Sequence, residues 1–116
     1  MLEEWLLKKK EIEDSKDTLN GADLCYAKLM EAKLSDANLE EADLTQAVLS
    51  EANLSGADMN EAELTDTFLN GANLQGVLNL TCDQIELANF DKDTVFPSYM
   101  RIKWSADGNC ECLDDN

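Results

Sequence analysis

Residues 19–78 read LNGADLCYAKLMEAKLSDANLEEADLTQAVLSEANLSGADMNEAELTDTFLNGANLQGVL. Leucine stands at 19, 24, 29, 34, 39, 44, 49, 54, 64, 69 and 74, with Met59 in the single gap, so one residue type recurs every five positions. Two residues before the next such position comes alanine, at 22, 27, 32, 37, 42, 47, 52, 57, 62 and 72, replaced only by Thr67 and Val77. The unit is alanine, any, leucine, any, any. A helix advances ~100° per residue, so a five-residue step turns the leucine by ~140° and scatters the set around the cylinder. A flat strand alternates its faces, so an odd step throws successive leucines onto opposite sides. What remains is a bend in every unit, which returns each leucine and alanine to a common axis. The glycines agree: Gly21, Gly56, Gly71 and Gly76 all fall two residues after the leucine, where a turn can use a positive φ without steric cost.

The segments Gly21-Ala22-Asp23-Leu24, Asp36-Ala37-Asn38-Leu39, Glu41-Ala42-Asp43-Leu44 and Gly71-Ala72-Asn73-Leu74 resemble the A(D/N)LXX signature of the pentapeptide-repeat family. The resemblance implies an all-β solenoid, a right-handed quadrilateral β-helix with four pentapeptides per coil and about three coils over residues 19–78, with short α-helical caps at the N- and C-terminal ends. The whole chain, 1–116, then reads as a single domain with an N-terminal helical cap at 1–16, repeats at 17–78, and a C-terminal helical cap and tail at 79–116.

Both ends carry capping signals. Leu2, Trp5, Leu6 and Ile12 share roughly one helical face over residues 2–13, so a short amphipathic helix is expected to lie over the first coil; the alternative is a partner-binding or membrane-surface helix. At the other end the period breaks at Asn79, and Thr81-Cys82-Asp83-Gln84 has the form of a capping box, which predicts a helix from Cys82 to about Asn89. Beyond it, the run from Asp91 to Pro97 and Trp104 resemble the tail of many family members.

Composition narrows the function. Among 116 residues there are 25 acidic and nine basic side chains, a formal charge of −16, which favours a soluble species and disfavours direct binding to nucleic acid or to anionic membrane. Histidine is absent, removing the commonest general base and zinc ligand. No run approaches the ~20 apolar residues of a membrane span, and the first ten residues lack the order of a signal peptide. A cytoplasmic location is expected if Met1 is the native start, and a lumen or periplasm if a leader was removed.

The sequence offers no catalytic residue, cofactor-binding residue or metal ligand. Stacking every twenty residues puts Asp23, Asp43 and Glu63 in one outward column, where carboxylates meet water instead of a cleft. Asp91 and Asp93 are too few for a calcium loop. The candidate disulfide cysteines are Cys25, Cys82, Cys110 and Cys112. Cys25 and Cys82 sit at opposite ends of the stack, so a direct bond between them is disfavoured, as is a tetrathiolate metal site. The tail could fold back to let Cys110 or Cys112 bond either partner; unpaired, inert thiols are the leading reading.

The same twenty-residue arithmetic places Lys28, Val48 and Phe68 in one outward column, where the family usually carries polar residues. Met30 follows Leu29 and Tyr26 stands at the adjoining corner, so Tyr26, Met30, Val48 and Phe68 form a candidate partner-binding patch on acidic walls. The competing expectation is that Phe96, Tyr99 or Trp104 of the tail packs over them. The leading function is a non-enzymatic protein-interaction or scaffold module with a protein partner, monomeric in preference to dimeric. The first alternative is an acidic DNA mimic that inhibits a type II topoisomerase, as the resemblance to acidic members of the family implies. Those members are longer, dimeric rods, and three coils are too short to imitate a duplex unless two chains join end to end, while both ends here carry caps. The second is a thiol redox factor.

Overall fold

Each repeat folds around a tight turn. In the computed structural model, which describes residues 2–114 and the side chains of residues 4–113, the alanine amide bonds back to the carbonyl three residues earlier, as in Ala22 N to Leu19 O and Ala52 N to Leu49 O, both 3.0 Å. The third residue of these turns has φ between +69° and +73° at Gly21, Gly56, Gly71 and Gly76. Eight non-glycine residues share that conformation: Tyr26, Glu31, Asp36, Glu41, Gln46, Glu51, Glu61 and Asp66. A type II turn demands this sign at that position, and an L side chain there costs about 1–2 kcal/mol. The glycine phase in the sequence was therefore the visible part of a rule that holds through the stack.

Successive coils pair in parallel at intervals of twenty residues, through four columns of bridges. The first face carries Asp23, Asp43 and Glu63; the second Lys28, Val48 and Phe68; the third Lys33, Asn53 and Asn73; the fourth Asn38, Asp58 and Leu78. Each rung is a short backbone exchange, such as Leu24 N to Asp43 O at 2.8 Å and Asp43 N to Ala22 O at 2.9 Å. Where Asp or Asn precedes the leucine, its side chain accepts the amide two residues on, as Asn38 does from Glu40 at 3.2 Å and Asp58 from Asn60 at 3.0 Å. That short side chain closes an Asx turn, which is the physical reason for the residue choice in the repeat. Inside, the leucines from Leu29 to Leu74 and Met59 are at most 1% exposed, and the exceptional Thr67 satisfies its hydroxyl on Leu44 O at 2.7 Å.

The N-terminal cap is a partial lid. Helix α1 (Leu2–Asp14) leads into a 3-10 turn (Lys16–Thr18). Ile12 is buried, but Leu6 is 48% and Leu7 64% exposed. At 100° per residue Leu6 lies about 120° from Ile12, so it leaves the face it was expected to share; the side chain of Leu2 falls outside the described residues. The segment provides acceptors under the third and fourth faces, where Glu13 takes the Lys33 amide at 2.7 Å and Lys16 O the Asn38 amide at 2.8 Å. Under the first two faces Ala22 and Ala27 stay partly exposed. The expectation that both ends are closed is corrected here: the lower end is half covered.

The C-terminal cap is continuous with the stack. Helix α2 (Cys82–Glu86) begins at the capping box of Thr81 and Gln84. It ends earlier than Asn89, because the chain is taken back by the ladder: Leu87 O accepts the Asp66 amide at 2.7 Å, and Asn89 N donates to Thr67 O at 2.8 Å. Parallel bridges from Phe68 to Asn89 and from Asn73 to Val95 extend the second and third faces by half a coil. Gln84 also donates to Ala62 O at 3.0 Å, a carbonyl that the last full coil leaves without a layer above, and to Met59 O at 2.9 Å, which already accepts the Ala62 amide. Leu80 and Ile85 close the core. The chain ends in an antiparallel hairpin of β1 (Met100–Trp104) and β2 (Cys110–Asp114), with Ile102 opposite Cys112 and Trp104 opposite Cys110. The sequence reading had no strands in this region.

Candidate functional site

The second face is where the outward residues depart most from the repeat. Val48 and Phe68 occupy the position that Asp or Asn holds in half of the repeats, and they bridge directly between coils. Neither can close an Asx turn, so this face forgoes a local stabilising bond at both places. Phe68 is 41% exposed and Val48 partly so. Tyr26, 66% exposed, stands at the corner that enters this face, and partly buried Met30 at the corner that leaves it. The structure thus brings the four sequence candidates to one face and its edges.

It adds Leu87, 54% exposed, whose carbonyl is bonded to Asp66 at the entry corner one layer above. Leu87 was missed because it lies beyond the periodic segment, where α2 changes the number of residues per turn of the solenoid. The expected cover does not arrive. Tyr99 donates its hydroxyl to Val77 O at 2.7 Å and accepts from Leu80 N at 3.0 Å, below α2. Phe96 and Trp104 pack edge-on against Phe90, with centroids at 5.2 and 6.0 Å, and Lys92 lies 5.7 Å from the Trp104 ring.

The patch has an acidic rim. Glu31, Glu51 and Asp66 are exposed at its corners, and Asp43 and Glu63 stand on the adjoining first face, against Lys28 in the column itself. On that first face Asp43 accepts the Thr45 hydroxyl at 2.6 Å and amide at 3.0 Å, which hold its carboxyl below the usual range. Hydrogen bonds to Asp23 and Asp43, together with the charges of both, push the nearby Cys25 thiol up to about 12. A thiol held protonated is a poor nucleophile.

The other cysteines lie at the opposite end. Cys82 and Cys112 form a disulfide, with Cα atoms 5.6 Å apart, that ties the first turn of α2 to β2; Cys25 and Cys110 are free. The pairing follows from the hairpin folding back over α2, which no spacing in the sequence reveals. Asp91 is engaged in a turn. Partial burial pushes its carboxyl up, but the amides of Gly71 and Asp93, at 3.1 and 3.0 Å, and Thr94 together hold it down. Among the described residues no helix is long and apolar enough to cross a membrane.

Single-residue rungs, four faces and a turn in every fifth position define a pentapeptide solenoid. The family model for pentapeptide repeats, in eight copies, matches residues 18–46 and 37–76, just over half of the chain. The chain belongs to the pentapeptide-repeat family. It is similar to alr5209, a pentapeptide-repeat protein from Nostoc Pcc 7120, at 29% identity over 79% of this chain and 84% of that one, with a TM-score of 0.59. That likeness implies a right-handed quadrilateral β-helix. Also similar are Rfr23 from the cyanobacterium Cyanothece 51142, at 34% identity over 66% of this chain and 54% of that one (TM-score 0.35), and AT2G44920 from the Arabidopsis thaliana thylakoid lumen, at 25% identity over 80% and 68% (TM-score 0.46). A comparison with curated proteins found no match.

Proposed function

We propose that this protein is a non-enzymatic interaction module that docks a protein partner on its second face. The observation that carries the reading is the outward stack of Val48 and Phe68, at a position where half of the repeats place Asp or Asn and gain a turn bond, with exposed Tyr26 and Leu87 beside it. Apolar and aromatic side chains surrounded by charge are the usual anchors of a protein interface. The acidic rim favours a partner that offers an apolar or aromatic knob flanked by Lys and Arg, since complementary charge speeds encounter and sets register. A rigid ladder suits this role because little order is lost on binding. Chemistry on the protein itself finds no support at Cys25, whose thiol is held protonated, or along the first face, whose carboxylates open to water.

The disulfide favours an oxidising compartment for the folded protein, where such bonds persist.

The test is a capture experiment with the wild-type protein, Phe68→Glu, and Leu78→Glu on the fourth face, each checked for unchanged circular dichroism. The reading expects a partner that Leu78→Glu retains, that Phe68→Glu loses by at least about tenfold in affinity, the loss of one interface anchor, and whose association slows at high salt. Equal capture by Phe68→Glu would sink it.

A further inference from the structure

Three sulfurs meet at the C-terminal end. Cys112 is bonded to Cys82, and Cys110 carries a free, exposed thiol two residues away on the same strand. Residues two apart on a strand point to the same side, with Cα atoms about 6.6 Å apart. Cys110 and Cys112 accordingly line one open groove of about 600 Å³, together with Ile85 and Ala88 beside α2 and Phe90 and Trp104. The thiol therefore faces the same groove as the disulfide.

We propose that Cys82, Cys110 and Cys112 form an intramolecular thiol–disulfide exchange site, at which the Cys110 thiolate displaces Cys112 from Cys82. Cys110 loses its proton to solvent, its sulfur bonds to Cys82, the bond between Cys82 and Cys112 breaks, and Cys112 leaves as a thiolate that solvent reprotonates. One disulfide and one thiol enter, and one disulfide and one thiol result, so no oxidant or reductant takes part. Direct closure of Cys110 onto Cys112 is disfavoured, because a disulfide needs Cβ atoms about 3.8 Å apart and an extended strand holds these two much farther apart.

The geometry of β2 permits the product. Moving the bond by two residues keeps every side chain of the strand on its own side, whereas a one-residue slip would turn the strand over. Cys110 would move from opposite Trp104 to opposite Ile102, drawing Gly108 and Asn109 out of the exposed turn of residues 105–109 and into the strand. The two bonded forms then present the hairpin and the Trp104 side of the groove in different registers. Cys25 takes no part: it lies in the first coil and its thiol is hydrogen-bonded to the acidic column.

The test uses the full chain without added thiol, incubated at pH 6.5 and pH 8.5, quenched in acid, alkylated after denaturation and mapped by fragmentation mass spectrometry. At the start the label falls on Cys25 and Cys110. With time at pH 8.5 it is expected on Cys112, paired with a Cys82–Cys110 linkage, at least about tenfold faster than at pH 6.5, because the thiolate is the attacking species. The rate should be independent of protein concentration, unchanged in Cys25→Ser and abolished in Cys110→Ser. A Cys112 that stays blocked at both pH values overturns the proposal, as does Cys112 labelling that persists in Cys110→Ser or scales with concentration.

Discussion

The two ends of this solenoid solve the same problem with different means. A coil that ends exposes its leucines and leaves backbone groups without a neighbouring layer. At the C-terminal end the chain stays in the ladder for another half coil, buries Leu80 and Ile85, aims Gln84 at the orphan carbonyl of Ala62 and fastens the hairpin with a disulfide. At the N-terminal end one described helix side chain, Ile12, enters the core, and acceptors reach two of the four faces. Capping by continuation satisfies backbone and side chain together. Capping by a helix laid alongside satisfies only what its one buried edge can reach.

The difference can be broken or sharpened by measurement. Ile85→Ala should cost about 2–5 kcal/mol, the range for emptying a fully buried aliphatic site. Ile12→Ala should cost at least about 1 kcal/mol less, because water already reaches the partly exposed Ala22 and Ala27 nearby and the site can relax. Chemical denaturation of both variants decides, and equal losses would break the contrast. Reducing the Cys82–Cys112 bond comes next. Its 30-residue separation gives a loop-closure term of about 3–4 kcal/mol, so reduction should move the urea midpoint down markedly, and a Cys82→Ser variant should lose its sensitivity to reductant. A midpoint unmoved by reductant would mean that the hairpin adds no constraint to the cap. The smallest effect is expected at Leu7→Glu, within about 0.5 kcal/mol of wild type, as for other exposed sites. A loss of more than about 1 kcal/mol would place Leu7 in an apolar contact and restore α1 as a full lid.

The legibility of the chain follows the same division. Between residues 19 and 78 each interior leucine meets its counterparts twenty residues away, so the period on paper is also the period of packing, and the columns could be assigned by counting. The outward stack of Val48 and Phe68 was readable for that reason. Leu87 was not, because α2 inserts extra residues and shifts the count before the ladder resumes. The length of α2 was misread as well: a capping box and apolar residues define where a helix begins, but tertiary bonds from Thr67 and Leu69 to Asn89 decide where it stops. At the other end Leu6 was assigned to the lid from an approximate face, and 100° geometry places it outside.

The sequence by itself determined the five-residue unit, the small residue at each turn and the burial of the leucines. These are local demands, repeated until they coincide with the global fold. Only the tertiary structure decided that Phe96, Tyr99 and Trp104 leave the second face uncovered, that the lower end is half open, and that Cys112 pairs with Cys82. Each depends on where a non-repeating segment comes to rest, and that is set by contacts between residues distant in the chain, for which no period leaves a mark.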